Sequence, residues 1–225
     1  MTFSIAGRCA RTGMVGIAIT TSSIAVGARC PWVRAGVGAV ATQNVTDPAL
    51  GPKGLDLLES GVPAEEALPR LMRDAPFPEY RQVTMIDSAG RTAHWTGAKT
   101  LGLNAVVADT DCIAAGNLLL NTKVPLAMVK TFVAEPALHL AERLLCSVEE
   151  GVVAGGEVGP VRSAALLVAD DQIWPLVNLR VDWSDESPLQ ALRRLWESYE
   201  PQMKDYVNRA LDPAAAPAYG VPGDP

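Results

Sequence analysis

The chain has 225 residues, 48% of them hydrophobic and 20% charged, enough for one domain with a large core. Its net charge of −6, with no run of like charge, argues against a nucleic-acid partner, because such proteins usually present a basic face. The amino end carries no basic segment followed by an apolar stretch. The longest uncharged run, residues 14–28, is too rich in Thr, Ser and Gly to span a bilayer, so a cytoplasmic protein without membrane contact is expected.

Strands are predicted over residues 2–8 and 15–20, joined through the turn Arg11-Thr12-Gly13, and a third over 37–43. Two helices follow, over 48–60, closed by Gly61, and over 63–72, opening on Pro63 where a missing N–H costs little. Residues 82–87 and 92–96 flank a Ser88-Ala89-Gly90 turn and read as a hairpin. Strands over 105–108 and 112–115 precede helices over 122–133 and 136–150, the second stopped by Gly151. Closing strands at 163–169 and 173–179 lead to a last helix. Its start, Ser187-Pro188-Leu189-Gln190, has a capping-box pattern, and Pro201 should kink or split it. Residues 1–211 form the expected domain; 212–225, rich in Ala and Pro, read as a flexible tail.

Strands and helices therefore come in blocks, and a doubly wound parallel fold, which wants a helix after each strand, is not offered. The runs at 37–43 and 163–169 are apolar on both alternations, as strands buried on both faces would be. An α+β fold fits: two stacked, mostly antiparallel sheets with helix pairs on their outer faces.

The side chains restrict the chemistry. Cys9, Cys30, Cys112 and Cys146 have no paired spacing and read as reduced and mostly buried thiols. There are only two histidines, His94 and His139, and neither neighbourhood suits a nucleophile's partner; a histidine-rich metal site is excluded by number, and no cofactor is expected. What remains is the start of the chain. Methionine is normally trimmed before a residue as small as threonine, and an N-terminal Thr2 carries nucleophile and base on one residue. Its hydroxyl attacks while the free α-amine, titrating near ~8, takes the proton. Met-Thr is also a common start with no such meaning.

Six ordered blocks resemble one bacterial family: Thr2-Phe3-Ser4-Ile5, Gly36 to Gln43, Gly51-Pro52-Lys53-Gly54-Leu55, Ala115-Gly116-Asn117, Arg162 to Val168, and Leu179-Arg180-Val181-Asp182. This is domain-of-unknown-function family one thousand and twenty-eight, grouped with the N-terminal-nucleophile hydrolases. The resemblance implies a four-layer αββα sandwich and, for the site, Thr2 as nucleophile beside polar groups from neighbouring strand ends. The run Thr20-Thr21-Ser22-Ser23 at the end of the second strand offers hydroxyls that would orient the α-amine, or would form a turn or a helix-cap run. A cation near Thr2 would disfavour protonation of the amine; Arg29 and Arg34 are the candidates, Arg34 slightly preferred. An oxyanion would be held at the strand-to-helix junction Thr42-Gln43-Asn44, where Asp47 is alternatively a helix cap, or by Asn117. Ser163 reads as structural.

The function expected is hydrolysis of an amide bond in a small molecule or short peptide. The alternatives are a catalytically silent binding protein of the same fold, or a structural or assembly protein. A homodimer or larger homo-oligomer is also expected, because Trp32, Trp183, Trp196 and Tyr199 are more large aromatics than one core is expected to hold.

Overall fold

Alternation along the first strand sets the architecture. In β1 (Thr2–Arg8), Phe3 and Ile5 point into a helix-lined core, while Ser4 and Ala6 point the other way, toward a second sheet. The computed structural model describes residues 2–220. It adds β2 (Val15–Thr21), β3 (Pro31–Arg34), β4 (Gly38–Asn44), α1 (Leu50–Glu59), α2 (Ala64–Arg73), β5 (Arg81–Asp87), β6 (Thr92–Thr96), β7 (Ala105–Asp109) and β8 (Cys112–Asn117). The chain continues through α3 (Val124–Ala134), α4 (Leu140–Val153), β9 (Ser163–Ala169), β10 (Val177–Val181), α5 (Pro188–Tyr199) and α6 (Met203–Leu211).

Six strands in the order β10-β9-β2-β1-β8-β7 form one sheet, and four in the order β3-β4-β5-β6 form the other. All the strand pairs within them are antiparallel. Phe132 and Met128 of α3, Leu144 and Leu145 of α4, and Leu192 and Trp196 of α5 cover the outer face of the first sheet. Leu50, Leu55 and Leu58 of α1 and Leu68, Leu71 and Met72 of α2 cover the second. Between the sheets lie Ala6, Ile17, Ile19, Ala39, Ala41, Ile86, Ile113 and Ala165. Four of these are alanines, which lets the facing sheets approach closely.

The structure moves several expected boundaries. The strand expected at 37–43 runs one residue later, and β3, absent from the sequence reading, pairs with it at the sheet edge. Pro31 opens β3, a position where a missing ladder N–H is tolerated. The strand expected over 173–179 is β10 instead: Ile173 is wholly exposed and pairing with β9 begins at Val177. The helix expected from 136 starts at Leu140, because His139 caps it, its Nδ1 accepting from the Ala141 N–H at 3.2 Å. Pro201 splits the final helix into α5 and α6.

Part of the expected tail folds back, with the Arg209 guanidinium donating to the Pro217 carbonyl at 3.0 Å and stacking over Tyr219. Met1 and residues 221–225 lie outside the described residues. No helix among the described residues is long and apolar enough to cross a membrane. The aromatics behind the oligomer expectation mostly find places within one chain. Trp196 is buried, Tyr199 donates to the Leu176 carbonyl, Trp32 packs beside α1, and only Trp183 stands half exposed.

The Gly51-to-Leu55 block has a steric reason. A Cβ on Gly51 would sit 2.1 Å from the Trp32 ring, and one on Gly54 would sit 3.0 Å from Met85. Helix α1 lies on the second sheet through these glycines. Gly51→Ala is expected to destabilise the fold by about 1–3 kcal/mol through overpacking, read as a lower midpoint in urea unfolding.

Candidate functional site

Thr2 begins β1 between two strand ends, register-paired with Thr21 of β2 and Asn117 of β8. Residues directly opposite share a face, so all three side chains point toward the second sheet. Thr2 Oγ1 lies 3.1 Å from Thr21 Oγ1. Thr21 Oγ1 is in turn 3.3 Å from Ser23 Oγ, and Ser23 Oγ accepts from Arg29 Nη2 at 2.6 Å. Arg29 also donates to the carbonyls of Ile24 and Ala25, which fixes it over this turn. A row of hydroxyls thus runs from Thr2 to a cation.

The facing sheet contributes two glutamines. Gln43 of β4 and Gln82 of β5 are register partners. Ser4 Oγ donates to Gln43 Oε1 at 2.8 Å, and Gln43 Nε2 donates to Gln82 Oε1 at 2.7 Å. Asn117 Nδ2 donates to that same oxygen at 3.0 Å, while Gln82 Nε2 reaches the Gly116 carbonyl at 3.2 Å. Ser4, Gln43, Gln82 and Asn117 are all fully buried. Such a network ties the sheets together, since any amide left unpaired there carries a full desolvation cost.

Two acceptors at this end have no partner among the described residues: Asn117 Oδ1 and the carboxylate of Glu157. Glu157 is 7% exposed, and burial pushes its carboxyl up to about 7. The positive amino terminus and the hydroxyl and amide of Ser22 pull it back down, although neither Ser22 group completes a hydrogen bond to it.

The structure brings Thr2, Thr21, Gln43 and Asn117 together. It separates others. Arg34 closes β3 at the Gly38 end of β4, where it is paired with Glu59 at 2.7 Å and Asp56 at 2.9 Å. Six strand steps put that end about 20 Å from the Gln43–Asn44 end, so Arg29, not Arg34, is the cation on the Thr2 side. Thr42 and Asn44 fall on the other face of β4 by its period of two. Thr42 Oγ1 donates to the Asp47 carbonyl, and Asn44, at φ 71°, clamps the Tyr80 carbonyl and the Leu101 N–H. Asp47 Oδ1 accepts from the Ala49 N–H, a turn-closing role. Ser22 is half-buried beyond the end of β2, on the Glu157 side. Ser163 accepts from the Val26 N–H and donates to the Ser23 carbonyl, holding the turn that carries Arg29.

Thr2 is 6% exposed in the chain that still carries Met1. Cavities lined by described residues lie away from Thr2, one of 400 Å³ lined by Arg34, Glu59 and Trp174, and one of 610 Å³ lined by Cys9, Arg11 and Asp111.

Residues 2–192 match the model of a family of unknown function, DUF1028. The chain belongs to that family. Protein SPO2555 from Silicibacter pomeroyi, whose crystal structure is described with the same family, is 30% identical, with 88% of each chain covered and a TM-score of 0.82. Anbu, an ancestral β-subunit from Yersinia bercovieri, aligns over 90% of this chain and 96% of its own at 11% identity; its TM-score of 0.34 is too low to assign a fold or a function. No curated protein matches.

Sequence reasoning missed Ser4, Gln82 and Glu157. Ser4 did leave a signal, as a polar residue between Phe3 and Ile5; Glu157 left none, being a loop carboxylate whose burial only the fold creates. Gln82→Leu would strand the Gln43 and Asn117 amides, and a loss of about 2 kcal/mol or more is expected in urea unfolding, against a much smaller change for the exposed His94→Leu.

Proposed function

We propose that this family member is an amide-bond hydrolase of the N-terminal-nucleophile type, acting on a small molecule or short peptide, with Thr2 as its nucleophile once Met1 is removed. The observation that carries the reading is the hydrogen-bonded hydroxyl pair of Thr2 and Thr21 at the head of the central strand, 3.1 Å apart. Sheets stacked face to face with helices on both outer sides support it, being the αββα arrangement that the family resemblance implies.

In this mechanism the free α-amine of Thr2 takes the hydroxyl proton as Oγ1 attacks the substrate carbonyl. The oxyanion that forms is stabilised by N–H donors; Asn117 Nδ2 carries a second hydrogen beyond the one given to Gln82. The α-ammonium returns its proton to the departing amine as the C–N bond breaks, leaving an ester on Thr2. Water, deprotonated by the same amine, then attacks the ester, and the acid leaves as Thr2 regains its hydroxyl proton. Thr21 and Ser23 hold the hydroxyl row in line, with Arg29 at its far end opposing positive charge on the amine. Polar side chains at this end suit a substrate bearing an amide or carboxylate. The low exposure of Thr2 favours a second reading, a silent relative that keeps the fold without the chemistry.

Acylation by a β-lactone probe separates the two. For Met1-free protein, Thr2→Ser and Thr2→Cys should retain a measurable acylation rate. Thr2→Ala should lose three decades or so, with a stability change of about 1 kcal/mol. The rate should fall as pH drops below the ordinary α-amine range of about 7.7–8, because protonation removes the base. A pH-independent rate, or one untouched by Thr2→Ala, would favour the silent reading.

A further inference from the structure

Glu157 is the least explained group in the molecule. Its carboxylate is buried, and among the described residues neither oxygen has a hydrogen bond and no ion pair includes it. A carboxylate taken out of water without a partner is expensive, and such groups are normally paired. The cations on neighbouring segments are spent: Arg29 on the Ile24 and Ala25 carbonyls and Ser23, Arg162 on Asp185 and the Ser184 carbonyl. The groups that act on Glu157 are the chain's amino terminus and Ser22.

Its placement is fixed by the backbone. Gly155 and Gly156, at φ 126° and 58°, turn the chain back after α4, a conformation that side chains other than glycine rarely adopt. The Leu120 N–H then donates to the Gly156 carbonyl and the Val158 N–H to the Leu118 carbonyl. Glu157 is thereby held opposite Leu119, two residues beyond Asn117, which is itself the register partner of Thr2. On the other side, Ser22 directly follows Thr21, the second partner of Thr2. Both flanks of Glu157 belong to the two strands between which β1 begins.

We propose that Glu157 is the counter-group of the α-amine that Thr2 gains when Met1 is removed, with Asn117 Oδ1 as the second acceptor. Glu157 acts through that amine and is a positioning residue. An α-ammonium brings three donors, and these two acceptors are the ones at this strand end without partners. The pairing fixes the amine beside its own hydroxyl. It also gives the amine's proton somewhere to go: the ammonium passes it to the carboxylate, leaving a neutral amine and a neutral Glu157. A carboxyl already raised to about 7 by burial is close enough to the amine's own range for that exchange. The inference rests on the reading of Thr2 as the working amino terminus, but not on attack by its hydroxyl.

The test uses the full chain with Met1 removed by methionine aminopeptidase. The pH dependence of cyanate carbamylation at the Thr2 α-amine, followed by peptide mass, gives its pKa. Loss of a neighbouring anion favours the neutral amine, so Glu157→Gln should lower that pKa by about one unit or more, with Glu157→Asp in between. An unchanged pKa overturns the proposal. Should Glu157→Gln fail to fold, the converse measurement decides. Acetylating Thr2 in the wild-type chain should raise the Glu157 carboxyl titration, followed by carbon NMR, and no change would overturn the pairing. If the amine shift appears, and persists in Thr2→Ala, while no probe acylates wild-type Thr2, the hydrolase reading falls and the pairing stands.

Discussion

Four buried polar side chains, Ser4, Gln43, Gln82 and Asn117, join the two sheets at the end where the chain begins. Elsewhere the sheets meet through alanine, isoleucine and valine, and that contact is non-directional. Hydrogen bonds are not. The amide of Gln82 accepts from one strand of each sheet, so it sets the register of β5 against β8 as well as their separation. The geometry around Thr2 depends on this clasp, because Asn117 belongs both to the clasp and to the pair of strands that flank Thr2.

Charge at this end is arranged in two directions from Thr2. Along the hydroxyls of Thr21 and Ser23 lies the guanidinium of Arg29; across the strand end lies the carboxylate of Glu157. A site with a fixed cation and a buried anion that has no partner among the described residues, both near one strand end, can hold either state of an amine. Groups whose proton affinities are brought close together are the ones suited to acid–base work. The remaining strongly tied charges, such as Arg193 with Glu142 and Glu149, fasten α5 to α4 and belong to the scaffold.

Most of the fold was legible in the sequence because its signals are local. Block order, the Gly61 stop, the Ser88-Ala89-Gly90 turn and Pro201 each act through their own backbone, whereas Gly151 does not stop α4, which runs on to Val153 and turns at Gly155 and Gly156. The four residues of β3 were not legible, since so short an edge strand around Pro31 carries no period and exists only through pairing with β4. Ile173 read as strand because it is apolar, yet nothing covers it in the fold. Thr2, Thr21, Gln43 and Asn117 come together in the fold because each sits at or next to a strand end. Thr42 and Asn44 were drawn in by adjacency, although a strand's period of two turns them to the opposite face from Gln43. Choosing Arg34 over Arg29 failed for a similar reason: five residues of sequence separation conceal the fact that they stand at opposite ends of a strand. Glu157 is reachable only through tertiary placement.

The claim on which the rest turns is that the amino-terminal threonine is a nucleophile with its own amine as base. Tandem mass spectrometry of protein purified from cells and treated with a β-lactone decides it most directly, by locating the acyl group among the neighbouring hydroxyls of Thr2, Ser4, Thr21, Ser22 and Ser23. The account predicts a chain lacking Met1, with a single acyl group as an ester on Thr2. A Met1-free chain that takes up no label, or takes it up equally on Thr21 or Ser22, would contradict it.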